Sequence, residues 1–206
     1  MWSWDITKLK TTVKWIYLYL YVVIDVFTLY VVGWTLSTRE SAALAWELVE
    51  CSIECEAVPH GQLTLHADRG APMRSRTLAE LLVDLGIEDS FSRPRTSNDN
   101  PFSESPFKTT KYAPAFPGVF TGVEHGREVL TPFLEHYNHH DRHTGIGPMP
   151  PVALHRSQAT AIAATRAAAL QAAFECHPDR SEGRTPRPPC VPRSEEHTSE
   201  LQSPCN

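Results

Sequence analysis

The chain has 206 residues, of which 41% are hydrophobic and 21% are charged, and its formal net charge is −5 at pH 7. This length suffices for one domain with a buried core, and the composition excludes a collagen-like or wholly disordered chain. The acidic balance argues mildly against a protein that holds nucleic acid through a basic surface alone. The five cysteines are too scattered for a disulfide framework and favour reduced thiols in a cytoplasmic compartment.

The first forty residues are rich in aromatic and β-branched side chains and predict three strands in a meander. The predicted strands are 3–10, 14–25 and 29–36, with a turn at 25–28. In the second strand, tyrosines alternate with aliphatic residues, a period of two that is typical of strands. Trp15 to Gly33 also approaches the length of a membrane helix, but Asp25 lies near its middle, where a charge costs about 2.5–3.5 kcal/mol. A buried hairpin is the favoured interpretation.

Helices and short strands alternate in the middle of the chain, and helices dominate its end. The predicted helices are 40–54 (apolar face Ala43, Leu44, Leu48 and Val49), 75–85, 101–111, 123–136 and 159–174, and the predicted short strands are 63–66 and 88–92. Three strands in a meander followed by alternating helices and strands is the order of a ribonuclease-H-like fold. The predicted class is therefore α/β, with a mixed five-stranded sheet flanked by helices.

Three acids in different predicted elements are candidate metal ligands. Asp5 lies inside the first strand, Asp68 follows the fourth, and Glu104 lies on a predicted helix. An acid among apolar strand residues is costly unless it is paired or binds a cation, and carboxylate oxygens suit Mg²⁺. Taken singly, each has an ordinary explanation: Asp5 pairs with a basic residue, Asp68 caps a turn, and Glu104 is a solvated helix residue.

The spacing of these acids overturns the ordinary explanations. Thirty-five residues separate Asp68 from Glu104, and Lys111 follows two helical turns later. The pattern resembles the DDE catalytic core shared by insertion-sequence transposases and retroviral integrases. The matching segments are Trp4–Thr7, Asp25–Trp34, His66–Gly70, Ser97–Lys111 and the signature at Tyr137-Asn138, Arg142-His143 and Gly145–Gly147. The resemblance covers residues 2–156 and favours the second-frame product of transposases made from two overlapping reading frames.

The resemblance implies a function as well as a fold. Asp5, Asp68 and Glu104 would hold two Mg²⁺ or Mn²⁺ ions, which suit phosphoryl transfer. Water would cleave the DNA at the element end, and the freed 3′ hydroxyl would attack target DNA. Lys111, and by a surface patch Arg142, would contact DNA phosphates. The implied partners are element ends, target DNA and further copies of the chain, in the bacterial cytoplasm and without a membrane.

Several neighbouring residues leave alternatives open. Asp25 suits turn geometry better than metal binding. His66 either orients a carboxylate or makes a structural hydrogen bond, and Asp99 competes with Glu104 as the third acid. Histidines at 136, 139, 140 and 143 have helical spacing that permits zinc, although a surface patch is favoured. Pro106 predicts a kink or a later helix start beside Glu104.

The predicted organisation has three parts. Residues 1–156 form the catalytic core, 157–192 form a helical and then proline-rich extension, and 193–206 resemble a translated sequencing adapter that we expect to be disordered. The chain opens almost at the first catalytic strand, so a preceding DNA-recognition region is expected to be missing. Two alternative functions remain, namely an inactive insertion-sequence remnant and a ribonuclease-H-like metal nuclease.

Overall fold

The structure is a computed structural model that describes residues 1–67, 88–91, 116–178 and 185–191. Its strands are β1 (Trp2–Lys10), β2 (Tyr17–Asp25), β3 (Val31–Ser37), β4 (Thr64–Ala67) and β5 (Glu88–Phe91). Within the described residues the helices are α1 (Ala42–Cys55), α2 (Val123–His139), α3 (Pro151–His155) and α4 (Ala159–Cys176), with a 3-10 turn at Thr144–Ile146. The chain forms two compact units, Met1–Glu135 and His136–Asn206.

The first unit contains a five-stranded mixed sheet in the order β3-β2-β1-β4-β5. The β1–β2 and β2–β3 pairs are antiparallel, whereas β4 runs parallel to both β1 and β5. The predicted meander, the mixed five-stranded sheet and the ribonuclease-H-like fold class are thereby confirmed. β1 is much longer than β4, so only three residues of β1, Trp2 to Trp4, pair with β4.

One face of the sheet packs against α1. Because strand side chains alternate between faces, Trp2, Trp4 and Ile6 of β1 share the face of Tyr21 and Val23 of β2. The buried core on this side consists of Trp2, Trp4, Tyr21, Val23, Ala45, Leu48, Val49, Leu63 and Leu65. Alternation and helical spacing therefore meet in a single apolar layer.

Tyr21 also fixes the start of α1. Its hydroxyl accepts a hydrogen bond from the backbone N–H of Ser41, the residue before the helix, at 2.7 Å. Burial of the ring raises the pKa of Tyr21, so the hydroxyl stays protonated and can donate to the carbonyl oxygen of Arg39 at 3.3 Å. A core residue of β2 therefore holds the connection that leads into α1.

The opposite face of the sheet meets the N-terminal part of α2. Leu18 of β2 and Leu36 of β3 lie on this face, and both approach α2 at Gly126. A Cβ atom at Gly126 would overlap Leu36 Cδ2, so the tip of this buried leucine side chain would have to move. The absence of a side chain thus lets α2 lie close to the sheet.

Arg166 joins two elements of the second unit. From the middle of α4, its guanidinium donates to the carbonyl oxygens of Gly147 at 2.8 Å and Pro148 at 2.7 Å. Gly147 has a φ of 74°, in the left-handed region that favours glycine. The planar fork of arginine suits two adjacent acceptors. The segment that follows the predicted Gly145–Gly147 signature is therefore held by the C-terminal helix.

Some predicted details are wrong, for physical reasons. Ala43 is exposed and Ala45 is buried instead, because the sheet selects a helix face rotated from the predicted one. The membrane-helix alternative is wrong because Trp15–Gly33 contains β2 and the start of β3. In the described parts of the chain, no helix is both long and apolar enough to cross a membrane. The predicted helices 75–85 and 101–111 lie outside the described residues.

Candidate active site on strands β1 and β4

Asp5 lies in the middle of β1, on the central strand of the sheet. It pairs with Val22 of β2, and its side chain is half-buried. Its neighbour Trp4 is fully buried against α1, so alternation directs Asp5 to the other face, together with Ser3 and Thr7. A carboxylate at this position combines partial desolvation with an opening to solvent, which suits a cation ligand.

The parallel pairing of β1 with β4 relates Asp5 to the second predicted acid. Ser3 pairs with His66, and Trp4 pairs with Ala67, the last residue of β4. The residue before Asp5 therefore lies beside the residue before Asp68. Asp68 itself lies outside the described residues, as do Glu104, Lys111, Asp99 and Pro106. β1 continues past this level to Lys10.

His66 lies on the same face of the sheet as Asp5. Its strand partner Ser3 is two residues before Asp5, so the alternation that directs Asp5 also directs His66. The imidazole is half-buried. The position is compatible with both predicted roles of His66, orientation of a carboxylate and a structural hydrogen bond.

Asp25 has a turn-forming role, as its place at the end of β2 predicts. Its Oδ1 accepts hydrogen bonds from the backbone N–H groups of Phe27 at 2.9 Å and Thr28 at 3.1 Å. This is the arrangement by which aspartate mimics a backbone turn. Asp25 pairs with Trp2, three strand positions from Asp5, or about 10 Å at strand spacing. Its carboxylate shapes the β2–β3 turn at that distance from Asp5.

The helical alignment of four histidines that the zinc alternative requires does not occur. α2 ends at His139, so His143 lies beyond the helix. The backbone N–H of His143 donates to the carbonyl oxygen of Met149 at 3.1 Å. His136 lies 3.3 Å from Asp141, and both are largely exposed. No group of three potential ligand residues is arranged for a metal ion among the residues that the structure describes. Arg142 is exposed, as a phosphate-contacting residue must be.

His143 is instead part of a buried aromatic contact. Its ring centroid lies 4.9 Å from that of Tyr137 in an edge arrangement. Burial lowers the pKa of His143, against a smaller opposing effect of Asp141, and burial also raises the pKa of Tyr137. Both rings are thus kept neutral near pH 7, and the signature residues Tyr137 and His143 pack together.

Comparison with known protein families decides what this arrangement belongs to. The sequence profile described as "Integrase core domain" matches residues 1–97, and a second profile of the same description matches residues 85–151. The chain belongs to the integrase core family. Together the two matches include both described candidates, Asp5 and Arg142, and the positions of Asp68, Glu104 and Lys111.

A curated relative supports the assignment of the chain to the integrase core family. The chain is 31% identical over 151 residues to the transposase InsF for insertion sequence IS3A of Escherichia coli K12, covering 73% of the chain and 51% of the relative. The chain thus spans about half the length of the curated relatives it matches. This match supports the predicted resemblance to the second-frame type of transposase core.

The solved structures show the fold. A simian T-cell lymphotropic virus intasome in complex with PP2A regulatory subunit B56 gamma matches with a TM-score of 0.57 and 19% identity, over 95% of this chain and 58% of that one. The catalytic core domain of HTLV-2 integrase in complex with magnesium matches with a TM-score of 0.50 and 18% identity, over 76% of this chain and 94% of that one. The integrase core fold thus agrees with the predicted ribonuclease-H-like fold.

Proposed function

We propose that this integrase core catalyses metal-dependent DNA 3′-end cleavage and strand transfer as the catalytic core of a transposase. The observation that carries the proposal is the register in which Ala67 pairs with Trp4. It sets the residues that precede Asp68 and Asp5 side by side on parallel strands. The family match and the transposase relative support the same activity.

The residues suit a divalent metal. Asp5 offers carboxylate oxygens from a half-buried position on the face of the sheet opposite α1, and Asp68 and Glu104 would add the remaining carboxylates. Hard cations such as Mg²⁺ or Mn²⁺ prefer such all-oxygen ligands. When bound, a pair of such ions would activate the attacking oxygen and stabilise the charge on the leaving oxygen.

The two chemical steps use the same carboxylates. In the first, water attacks a phosphorus atom at the element end, the bond to the 3′ oxygen breaks, and a free 3′ hydroxyl remains. In the second, that 3′ oxygen attacks a phosphorus atom of target DNA and displaces the 3′ oxygen of the target strand. Lys111 and Arg142 would hold phosphates of the bound DNA, because lysine and arginine are always charged near pH 7.

The proposal includes the partners and the organisation of the chain. Strand transfer joins two element ends to one target, so a homo-oligomer would hold element ends and target DNA together. The catalytic core would comprise residues 1–156, with residues 157–192 as an extension. Action on DNA in the bacterial cytoplasm would follow from the same activity.

A strand-transfer assay tests the proposal. Pre-cut element-end DNA and a target plasmid are incubated with the full chain and Mn²⁺, and joined products are measured. We expect joining by the wild type and its loss in Asp5→Asn, Asp68→Asn and Glu104→Gln. Asp25→Asn is the matched control, because asparagine keeps the oxygen that accepts the turn hydrogen bonds and full activity is expected.

Two results would contradict the proposal. If the wild type and the three acid variants behave alike, the chain is an inactive remnant. If the wild type cleaves RNA–DNA hybrids and joins no DNA, it is a ribonuclease-H-like nuclease. Circular dichroism of each variant separates loss of activity from loss of the fold.

A further inference from the structure

The turn between β1 and β2, here called the hairpin turn (residues 11–16), exposes unusually large apolar side chains. Trp15 is 76% exposed, and its neighbours Val13 and Ile16 are 56% and 54% exposed. The other tryptophans of the described chain are buried or half-buried. Trp15 therefore contributes almost nothing to the core, although a tryptophan is the side chain with the most to gain from burial.

The backbone of Trp15 makes its presence more costly. Its φ is 71°, in the left-handed region, where a bulky residue is strained and glycine or asparagine is not. Both the exposure and the backbone conformation therefore disfavour tryptophan at this position. Folding stability does not explain the residue, and strained positions of this kind cluster at functional sites.

The hairpin turn is held in a defined conformation. Thr11 Oγ1 donates to the carbonyl oxygen of Ile16 at 2.8 Å and accepts from the N–H of Val13 at 3.3 Å. The backbone of Phe120 also supports the turn where it leaves β1. Its N–H donates a hydrogen bond to the carbonyl oxygen of Lys10 at 2.9 Å, and its carbonyl oxygen accepts one from the N–H of Thr12 at 3.0 Å. Trp15 is thus presented by a supported turn, which lowers the entropy lost on binding.

The charge around Trp15 is positive, although the whole chain is acidic. Lys8, Lys10 and Lys14 are exposed, and no Asp or Glu occurs from Ile6 to Ile24. The Lys14 Nζ atom lies 5.3 Å from the centroid of the Trp15 ring. Lysines beside an exposed aromatic ring form the combination that binds nucleic-acid backbone and bases together.

The hairpin turn follows the end of β1 that extends past Asp5. β4 ends level with Trp4, and β1 continues from Asp5 to Lys10. Five residues of strand span about 17 Å. That distance corresponds to about five steps along one DNA strand at 3.4 Å each. DNA held at Asp5 could therefore reach the hairpin turn.

From these observations we infer that the hairpin turn, together with Lys10 at the end of β1, is a DNA-binding element in which Lys10 and Lys14 contact phosphates and Trp15 stacks on an unpaired base. The inference rests on the proposed function, since it assigns a second contact to the same DNA. Nucleic acid satisfies both features of the turn, because phosphate matches the lysines and a base face matches the indole.

Fluorescence anisotropy with labelled DNA in EDTA tests the inference apart from catalysis. The probes are a mixed-sequence single strand and the duplex of the same sequence. We expect Trp15→Ala to weaken single-strand binding about fivefold or more, and the duplex less, because stacking needs an accessible base face. Trp15→Phe keeps a stacking ring and is expected to retain most of the affinity, whereas Trp15→Leu keeps apolar area only and is expected to behave like Trp15→Ala.

Three further variants sharpen the test. The double variant Lys10→Ala/Lys14→Ala is expected to reduce the salt dependence of binding by about two phosphate contacts. Val119→Ala, which removes another exposed apolar side chain, is the matched control and is expected to bind as the wild type does. Trp15→Gly is expected to melt at the same temperature as the wild type or higher, because glycine relieves the backbone conformation.

Three outcomes would overturn the inference. Unchanged DNA affinity in Trp15→Ala would do so, as would full affinity in Trp15→Leu. A loss of self-association or of binding to anionic vesicles in Trp15→Ala, with DNA affinity intact, would assign the turn to another copy of the chain or to a lipid surface. If the wild type performs strand transfer and DNA binding does not depend on Trp15, only this inference is refuted. If DNA binding depends on Trp15 but no strand transfer occurs, only the proposed function is refuted.

Discussion

Replacing Gly33 with alanine tests how closely α1 packs on the sheet. Gly33 lies on β3, and a Cβ atom there would overlap Ser52 Oγ and lie 3.2 Å from Leu48 Cδ1. Ser52 is buried, and its hydroxyl donates to the carbonyl oxygen of Leu48 at 2.7 Å, so rotating it away would break that bond. The added methyl group therefore forces α1 outward or leaves the hydroxyl unpaired.

The expected magnitude follows from two opposing effects. Overpacking of this kind costs about 1–3 kcal/mol. Alanine recovers about 0.5–1 kcal/mol of the backbone entropy that glycine loses in a strand. The difference between the two ranges runs from about 0 to about 2.5 kcal/mol. Its middle, a net loss of about 1 kcal/mol in the free energy of unfolding, lowers the melting temperature by about 2–4 °C for a chain of this size.

Thermal unfolding followed by circular dichroism measures the effect. Ser52→Ala in the Gly33→Ala background removes the overlapping oxygen, so the double variant is expected to lose less than the sum of the single changes, by about 1 kcal/mol. Gly118→Ala is the control, because a Cβ atom at Gly118 meets nothing within 4 Å. Wild-type stability of Gly33→Ala, or strictly additive losses in the double variant, would refute the close packing.

Two further predictions concern the second unit. Because burial lowers the pKa of His143, the unfolded chain binds more protons than the folded one below the ordinary value of 6.5; the stability contributed by the neutral ring is complete above 6.5 and falls as the pH is lowered. Urea unfolding from about pH 7 to about pH 5 should show a smaller decline in His143→Gln than in the wild type, and an equal decline would contradict this assignment. Arg166→Ala should cost about 1–3 kcal/mol through loss of its charged hydrogen bonds to Gly147 and Pro148, with Arg166→Lys only partly restoring them. Hydrogen exchange of the α4 amides measures this loss of stability. Unchanged protection in Arg166→Ala would show that the hydrogen bonds from Arg166 to Gly147 and Pro148 do not stabilise α4.

The strands and the longer helices of the described chain could be predicted from local pattern. β2 was recognised because Tyr17, Tyr19 and Tyr21 alternate with aliphatic residues, and the structure places its start within three residues of the predicted one. α4 was recognised from its alanines. The 3-10 turn at Thr144–Ile146 and the short helix α3 were missed, because three or five residues are too few to show a period.

The choice of buried face was less predictable. Ala43 and Ala45 are chemically identical, and the helical pattern alone does not decide which one faces the sheet. The close approach at Gly33 and Ser52 sets the rotation of α1, and with it the burial of Ala45. The position of His143 was easier to foresee, because the predicted helix 123–136 already ended before it and α2 ends at His139.

For the candidate site too, some features follow from the sequence and others from the tertiary structure. The sequence by itself determined the identity and spacing of the acids, the strand that carries Asp5 and the turn-forming role of Asp25, because each depends on neighbours in the chain. Only the tertiary structure decided that Trp4 pairs with Ala67, because strand register depends on packing between distant segments.

The net charge of −5 does not describe the charge around the hairpin turn. Composition averages over the whole chain, whereas binding depends on the charges that share a surface. The fold places Lys14 and an exposed Trp15 on the hairpin turn and Lys10 at the end of β1 beside it, and no acid occurs from Ile6 to Ile24. Where a side chain lies in the fold, and what it faces, was decided by strand pairing and not by composition.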